Sequence, residues 1–459
     1  MTERARDVLC GVFGATTGFS LHRFVGGKTQ QIIKAEIPFG KGPDGLKYWP
    51  TGWLQHILHA AAAYGGRESL LALATWGADS ALLTRTGHIF TSHIIHPAQH
   101  YGSVPKSWLG QATAHVSALD IYRRTGGANV AWFQPYAQLL CEKQHRPQLL
   151  AWPAKVAVIP MADLMTCILT GAKGHDQTTL QSYGMLEKGW RGLYGQLFPQ
   201  MGKAALAGRI APWPVFDQRT ILPGPGGIRV IPATHDSVPA RMVGFSQCPF
   251  VLWTGNWVGT AFNLADSPGV QPSAESLAAD IAFEGVGPAR AAITNIAMLG
   301  TYWKALLEWA QGPQKTDYQQ GAASALEALD KGLEVDLAEI LPAQSEQIDQ
   351  IAVRLGSVCA VSDWPVKLAT FIKSAAKACD QKLQATAKVL GLDKPTEVAI
   401  IGGWAENAAF VAALCSLGYA VHIPPLAAEA THAGLAAQAL VRGNEAPDFG
   451  EALKMLQAA

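Results

Sequence analysis

Two far-separated stretches of this chain share one grammar: a buried strand, a turn of small or hydroxyl residues, and a second apolar strand. The first spans residues 9–24 and turns through Gly14-Ala15-Thr16-Thr17-Gly18; the second spans 251–262 and turns through Thr254-Gly255-Asn256-Trp257. Helical periodicity follows the strands in each half, at 53–64 in the first and at 296–310, 318–332 and 364–390 in the second. Such alternation builds layered α/β structure. Repeated, it predicts a duplicated architecture with a cleft between the halves. A chain of 459 residues also exceeds what one hydrophobic core organises. The boundary is expected shortly after Asp236, which gives domains 1–245 and 246–459.

Further elements are expected as strands at 70–76, 228–231 and 397–401, and as helices at 131–143, 161–169, 190–198, 238–243 and 406–417. Charge excludes several function classes. Lys+Arg and Asp+Glu nearly cancel, leaving +1, with no basic stripe for nucleic acid and no polybasic run for a membrane surface. The seven cysteines form no C-x-x-C pair, and the charged N-terminus lacks the apolar run of a signal peptide, so a cytoplasmic protein with reduced thiols is expected. The expected partner is a small molecule, with neither nucleic acid nor membrane, and a homodimer is compatible with this composition.

The segment Thr234-His235-Asp236 carries the chemistry. A strand runs into a turn that presents an imidazole and a carboxylate together, shortly before the Thr254–Trp257 turn. A carboxylate at one strand end and a Gly-hinged turn at the next suit phosphoryl transfer, in which positioning and electrostatics do most of the work. The blander alternative is that Asp236 caps the following helix. Other motifs carry less. Gly27-Lys28-Thr29 lacks the upstream glycine of a phosphate loop, since His22 stands there, and Pro97 interrupts the metal-like spacing of His93, His96 and His100.

Taken in order, the turns resemble the FGGY family of carbohydrate kinases, within the actin/hexokinase-like (ribonuclease H-like) superfamily, and most of all the rhamnulokinase-related group. Ala74-Thr75-Trp76-Gly77-Ala78-Asp79 looks like the family's sugar-contacting strand and turn. Thr234-His235-Asp236 matches its catalytic turn, and Thr254-Gly255-Asn256-Trp257 its phosphate turn. Gly402-Gly403-Trp404-Ala405-Glu406-Asn407 is similar to its adenosine turn, and Glu429-Ala430-Thr431-His432-Ala433-Gly434 to its closing helix start. The resemblance implies ATP-dependent phosphorylation of a ketose or deoxyketose. Asp236 is then the general base and a Mg²⁺ ligand, directly or through water. Trp76, Gly77, His235 and Asn295 would contact sugar. Gly14, Thr16, Thr17, Thr254, Gly255, Asn256, Gly402, Gly403, Glu406 and Asn407 would contact ATP, which with the sugar spans the cleft near position 245.

The chain departs from that pattern at telling places. Where the family's first turn carries a Mg²⁺-binding Asp, the gapless register puts Val12, and a one-residue shift puts Phe13; Phe19 or Ser20 takes the place of a Lys. Asn256 replaces a Thr, and Trp404, which would crowd or stack on a purine, replaces a Gly. The sugar loop, 93–102, also differs. A slow kinase, a sugar- or nucleotide-binding regulatory homologue, and a hydrolase using Asp236 to activate water are the readings left open.

Overall fold

The computed structural model describes residues 7–14, 18–25, 28–41, 47–77, 79–84, 89–91, 116–127, 156–182, 213–285, 287–312, 316–333 and 363–457. A meander of β1 (Val8–Gly14), β2 (Gly18–Val25) and β3 (Lys28–Ala35) opens the first sheet. A short hairpin, β4 (Gly40–Lys41) and β5 (Lys47–Tyr48), leads through α1 (Thr51–Ala63) to β6 (Leu70–Thr75), parallel to β1. β7 (Ser80–Thr84), β8 (Ile89–Thr91) and β9 (Val156–Pro160) form a small separate sheet ahead of α2 (Met161–Thr170) and α3 (Gln177–Ser182). β10 (Leu222–Pro223) and β11 (Arg229–Val230) extend the first sheet beyond β6, and β12 (Thr234–His235) also pairs with β6.

After α4 (Ser237–Phe245), the second sheet repeats the plan of the first. β13 (Phe250–Thr254) pairs antiparallel with β14 (Val258–Asn263), as β1 does with β2. β15 (Ala282–Glu284) and β16 (Ala291–Ala297) complete one side; β17 (Glu397–Gly402), parallel to β13 as β6 is to β1, and β18 (Ala420–His422) complete the other. The strand–turn–strand echo is thus matched by an echo in topology. Helices α5 (Leu299–Gln311), α6 (Tyr318–Asp330), α7 (Trp364–Leu390) and α8 (Ala408–Ser416) follow their expected positions, with two shifted starts. Residues 296 and 297 end β16, so α5 starts at Leu299. A 3₁₀ turn takes Gly403–Glu406, and Asn407 caps α8 by accepting from the Phe410 amide. The helices expected at 131–143 and 190–198 lie outside the described residues.

Period-two alternation sends each strand's side chains to two cores. On β1, Leu9 and Phe13 face a core built with α1 and α2, whereas Val8 and Cys10 face the other sheet. On the second sheet Leu252, Val398 and Ile400 face α5–α8, whereas Val251, Ala399 and Ile401 face back. The shared inner core is filled by α4 and α9 (Ala430–Arg442), the latter packed also against α10 (Phe449–Gln457). Ala433, Ala436, Ala437 and Ala439 keep α9 slim enough to serve both sheets. Where the helices cross, a Cβ on Gly434 would stand 2.1 Å from the Pro239 carbonyl oxygen. Among the described residues no helix is long and apolar enough to cross a membrane, and the five described cysteines are free thiols.

Gly434→Ala must therefore push α4 and α9 apart against backbone rather than a flexible side chain. The expected cost is about 2–3 kcal/mol, read as a lower urea midpoint at unchanged slope. An unaltered midpoint would mean that the helices do not touch as described.

Candidate active site

Parallel pairing brings the informative turns to matching ends of the two sheets. The end of β1 lies beside the end of β6, since Phe13 pairs with Thr75; likewise the β13–β14 turn lies beside the end of β17, since Thr254 pairs with Gly402. Helices α4 and α9 start nearby, the first directly after β12 and the second next to Gly403–Glu406 and the end of β17.

Asp236 stands at the start of α4. Its amide donates to the Thr75 carbonyl at 3.0 Å, which pins the turn to β6. Asp236 holds the N-cap position, and its side chain makes no capping hydrogen bond beyond the adjacent Ser237 amide. The carboxylate is 29% exposed and has His235 Nε2 at 3.4 Å from Oδ1. Burial raises its pKa above the usual carboxylate range, opposed by the His235 ring, the Ser237 amide and Arg241. His235 packs over the Trp76–Gly77 turn: a Cβ on Gly77 would stand 2.9 Å from its Nε2. Ser237 Oγ lies 3.2 Å from His235 Nδ1 and accepts from Arg241 Nη1 at 3.1 Å.

Beneath this turn lies a buried polar network that sequence reasoning missed. Thr234 donates to Asp176 Oδ1 at 3.0 Å, and Thr178 also contacts both. Asp163 holds His175 Nδ1 at 2.6 Å and the Asp176 amide at 2.9 Å. Burial raises the Asp163 pKa to about 6, with His175 opposing. Asp163 lies in a segment whose apolar pattern hid it, and Asp176 in a polar stretch without a motif; only their proximity in space links them to residue 234.

Trp76 is 8% exposed and stacks on Trp49 at 4.8 Å. Both indole N–H groups donate to Asp79 Oδ2, at 3.2 and 2.9 Å, so the turn rests on a fully buried carboxylate. The Thr75 hydroxyl is buried, with no hydrogen-bond partner among the described residues.

On the second sheet, Thr254 Oγ1 donates to the Ile401 carbonyl at 2.7 Å and accepts from the Trp404 amide at 3.0 Å. Its hydroxyl therefore ties the two turns together rather than reaching outward. Gly255 and Asn256 are exposed. The start of α5 presses on them, for a Cβ on Gly300 would stand 1.9 Å from the Gly255 carbonyl oxygen. Gly402 has φ +90°, and a Cβ there would meet the Thr254 carbonyl oxygen at 2.0 Å, so only glycine fits. Gly403 has open space at its Cβ position, and Glu406 is exposed. Asn407 Nδ2 is buried without a partner among the described residues. Trp404 departs from expectation: it is 5% exposed and packs edge-on against Trp303, Phe371 and Phe410, turned into the core rather than toward a purine. Asn295 lies on β16 opposite Gly259.

Gly14 ends β1, while Thr16 and Thr17 lie outside the described residues. Phe13 is fully buried against Phe19, Trp49 and Trp53. Val12 instead faces the inner core that contains α9. Its cross-strand partner Ser20 contacts His432 Nε2 at 3.0 Å, in the first turn of α9. His22 stacks on His432 at 3.8 Å, and Glu429 lies 3.6 Å from His22. Among the described residues no group of three His, Cys, Asp or Glu side chains stands close enough to hold a metal ion.

No protein-family model matches the chain, and no curated protein matches it by sequence. Solved structures do match in fold. A Plasmodium falciparum glycerol kinase with ADP is similar over 99% of this chain and 93% of its own, with TM-score 0.73 and 11% identity. A xylulose kinase from Rhodospirillum rubrum matches over 99% and 92%, with TM-score 0.68 and 14% identity. A carbohydrate kinase from Novosphingobium aromaticivorans matches over 95% and 91%, with TM-score 0.64 and 18% identity. The chain has the α/β fold of these sugar kinases, its two main sheets matching their actin/hexokinase-like plan.

The stacked imidazoles make stability pH-dependent. Burial, then the neighbouring His22, lowers the His432 pKa to about 3. The unfolded chain binds that proton from about pH 6.5, so this group's contribution, full above 6.5, declines as pH falls toward 3. His432→Gln should flatten the fall in unfolding free energy between pH 7 and 5 by about 2 kcal/mol. Parallel declines in wild type and variant would contradict this assignment.

Proposed function

We propose that this protein is an ATP-dependent carbohydrate kinase that phosphorylates a hydroxyl of a small ketose or deoxyketose, with Asp236 as general base. The observation that carries this reading is the placement of Asp236. It is a partly exposed carboxylate with no capping hydrogen bond beyond the adjacent Ser237 amide, backed by His235, at the start of a helix lying between the two sheets. We take residues 1–245 as the sugar side and 246–459 as the nucleotide side, and the chain as nearest to the rhamnulokinase-related group.

The residues present fit the implied cofactors unequally. For ATP, the Gly402–Gly403 turn offers backbone without side-chain obstruction, and Asn407 Nδ2 is an orphaned buried donor beside it. Exposed Gly255 and Asn256 would receive phosphate oxygens through backbone and amide groups. For Mg²⁺, only Asp236 supports the reading, which suits an ion held mainly by phosphates and water. Bound ATP supplies the phosphoryl group and Mg²⁺ offsets its charge. The protein supplies the rest. His235, Gly77, Trp76 and Asn295 orient the sugar. Asp236 takes the hydroxyl proton as the new bond forms. Closure of the halves around α4 and α9 would exclude water.

Because burial lifts the Asp236 pKa, the active carboxylate form should be lost at a higher pH than for an exposed aspartate as the solution is acidified. The test is ADP release across a panel of pentuloses, hexuloses and polyols. Asp236→Asn should lower sugar-dependent release about a hundredfold or more while leaving nucleotide binding near the wild-type level. A panel with no release would reject the kinase reading and favour a sugar- or nucleotide-binding regulatory homologue.

The inward-facing Val12 matches the position where the family carries a carboxylate. Val12→Asp should tighten Mg²⁺-dependent nucleotide binding, read by calorimetry with and without the ion. Equal affinity in the variant and wild type would show that this side chain does not reach the metal.

A further inference from the structure

Arg241 stands in the middle of α4, in a run of otherwise apolar and small residues, and is 1% exposed. Both protons of its Nη1 are used: one goes to Ser237 Oγ at 3.1 Å, the other to Glu284 Oε2 on β15 at 3.0 Å. Among the described residues Nε and Nη2 have no partner, although both are buried. A guanidinium buried with one edge unpaired contributes less to stability than a well-packed apolar side chain would. What this residue offers is the bond at Nη1. That bond places a cationic donor on one of the two acceptor positions of Ser237 Oγ, which disfavours a second N–H proton on the same oxygen and turns the hydroxyl proton toward His235 Nδ1, 3.2 Å away. With Nδ1 accepting, the ring's own proton sits on Nε2, which faces Asp236 Oδ1 at 3.4 Å.

We propose that Arg241 is a positioning residue: through Ser237 it holds His235 as the Nε2–H tautomer, which orients Asp236, and through Glu284 it ties that orientation to the second sheet. The catalytic half of this statement rests on the phosphoryl-transfer reading; the tautomer half stands on the hydrogen-bond chain alone. The charged or titratable groups around the chain are His235 on β12, Asp236 at the start of α4, Arg241 within α4 and Glu284 on β15. Glu284 is 15% exposed, so water can solvate it when the cation is removed.

The experiment uses the full chain labelled with ¹⁵N-histidine, the His235 ring signals being identified by their loss in His235→Gln. Wild type should show protonated Nε2 and unprotonated Nδ1. Arg241→Met should shift His235 toward a mixture of tautomers, and Arg241→Lys, which can still donate to Ser237, should restore the wild-type pattern. Ser237→Ala breaks the same chain with the guanidinium in place and should give the same mixture, a second route if the methionine variant fails to fold. A wild-type pattern in Arg241→Met or Ser237→Ala overturns the proposal. With any sugar that yields ADP, Arg241→Met should lower kcat about tenfold, the scale of a misplaced reacting group, at unchanged KM for ATP, with recovery in the lysine variant. An unchanged kcat overturns the catalytic half. Should no sugar yield ADP, the kinase reading falls, and the imidazole signals still decide whether Arg241 sets the tautomer.

Discussion

The contact on which the rest of this molecule depends is the crossing of α4 and α9, where Gly434 lies against the Pro239 carbonyl. Each sheet has an inner face of small apolar residues that needs cover, and one slim helix pair covers both. A helix lined with leucine would hold the sheets too far apart for the same residues to close over it; alanine and glycine allow backbone-to-backbone approach. The crossing also places two titratable side chains. Asp236 opens α4, and His432 lies in the first turn of α9. The helices packed between the sheets therefore also carry Asp236 and His432, so relative rotation of the sheets would be felt directly at both side chains.

Polar residues under the turns show how positioning is obtained. Asp79 holds two indoles, Asp176 holds three threonine hydroxyls and an amide, and Thr254 bridges two turns through a single hydroxyl. Buried carboxylates are costly to desolvate, and each is offset by several donors. Such networks stiffen loops that would otherwise wander, which is the requirement of a site whose work is alignment.

The sequence made the architecture legible because its signals were local and strong: β-branched or leucine-rich strands, glycine-bearing turns, and the sustained periodicity that marked α7 from end to end. The topological echo of the two sheets was readable from the repeated strand–turn–strand unit. The direction of individual side chains was less readable. Trp404 sits in a turn similar to one that receives a purine, yet the 3₁₀ geometry of Gly403–Glu406 turns it into the core beside Trp303. Thr254 looked like a phosphate donor because its partners, Ile401 and the Trp404 amide, are distant in sequence and became neighbours only through the parallel pairing of β13 and β17. Arg241 carried a faint signal, one cation on an apolar helix, but its meaning depends on Glu284 across the sheet boundary.

The choice between Val12 and Phe13 as the residue in the family's acidic position is a matter of faces, not of letters. β1 alternates strictly, so one of the two must face the first core and the other the inner one; Phe13 fills the aromatic cluster around Trp49, which leaves Val12 inward. The neighbouring positions hold imidazoles and a hydroxyl: Ser20 and His432 share a hydrogen bond, and His22 stacks on the same imidazole. The charges that act on Asp236 then come from His235, Arg241 and Glu284, all on its own side of the helix crossing or at the edge of the second sheet. On the reading proposed above, affinity for a polyphosphate would fall to backbone amides and small-residue turns rather than to a cationic side chain on the first hairpin. Amides in a fixed turn hold an anion by geometry and are insensitive to pH. On that reading, the pH dependence of the proposed transfer would follow the one carboxylate whose position the helix crossing fixes.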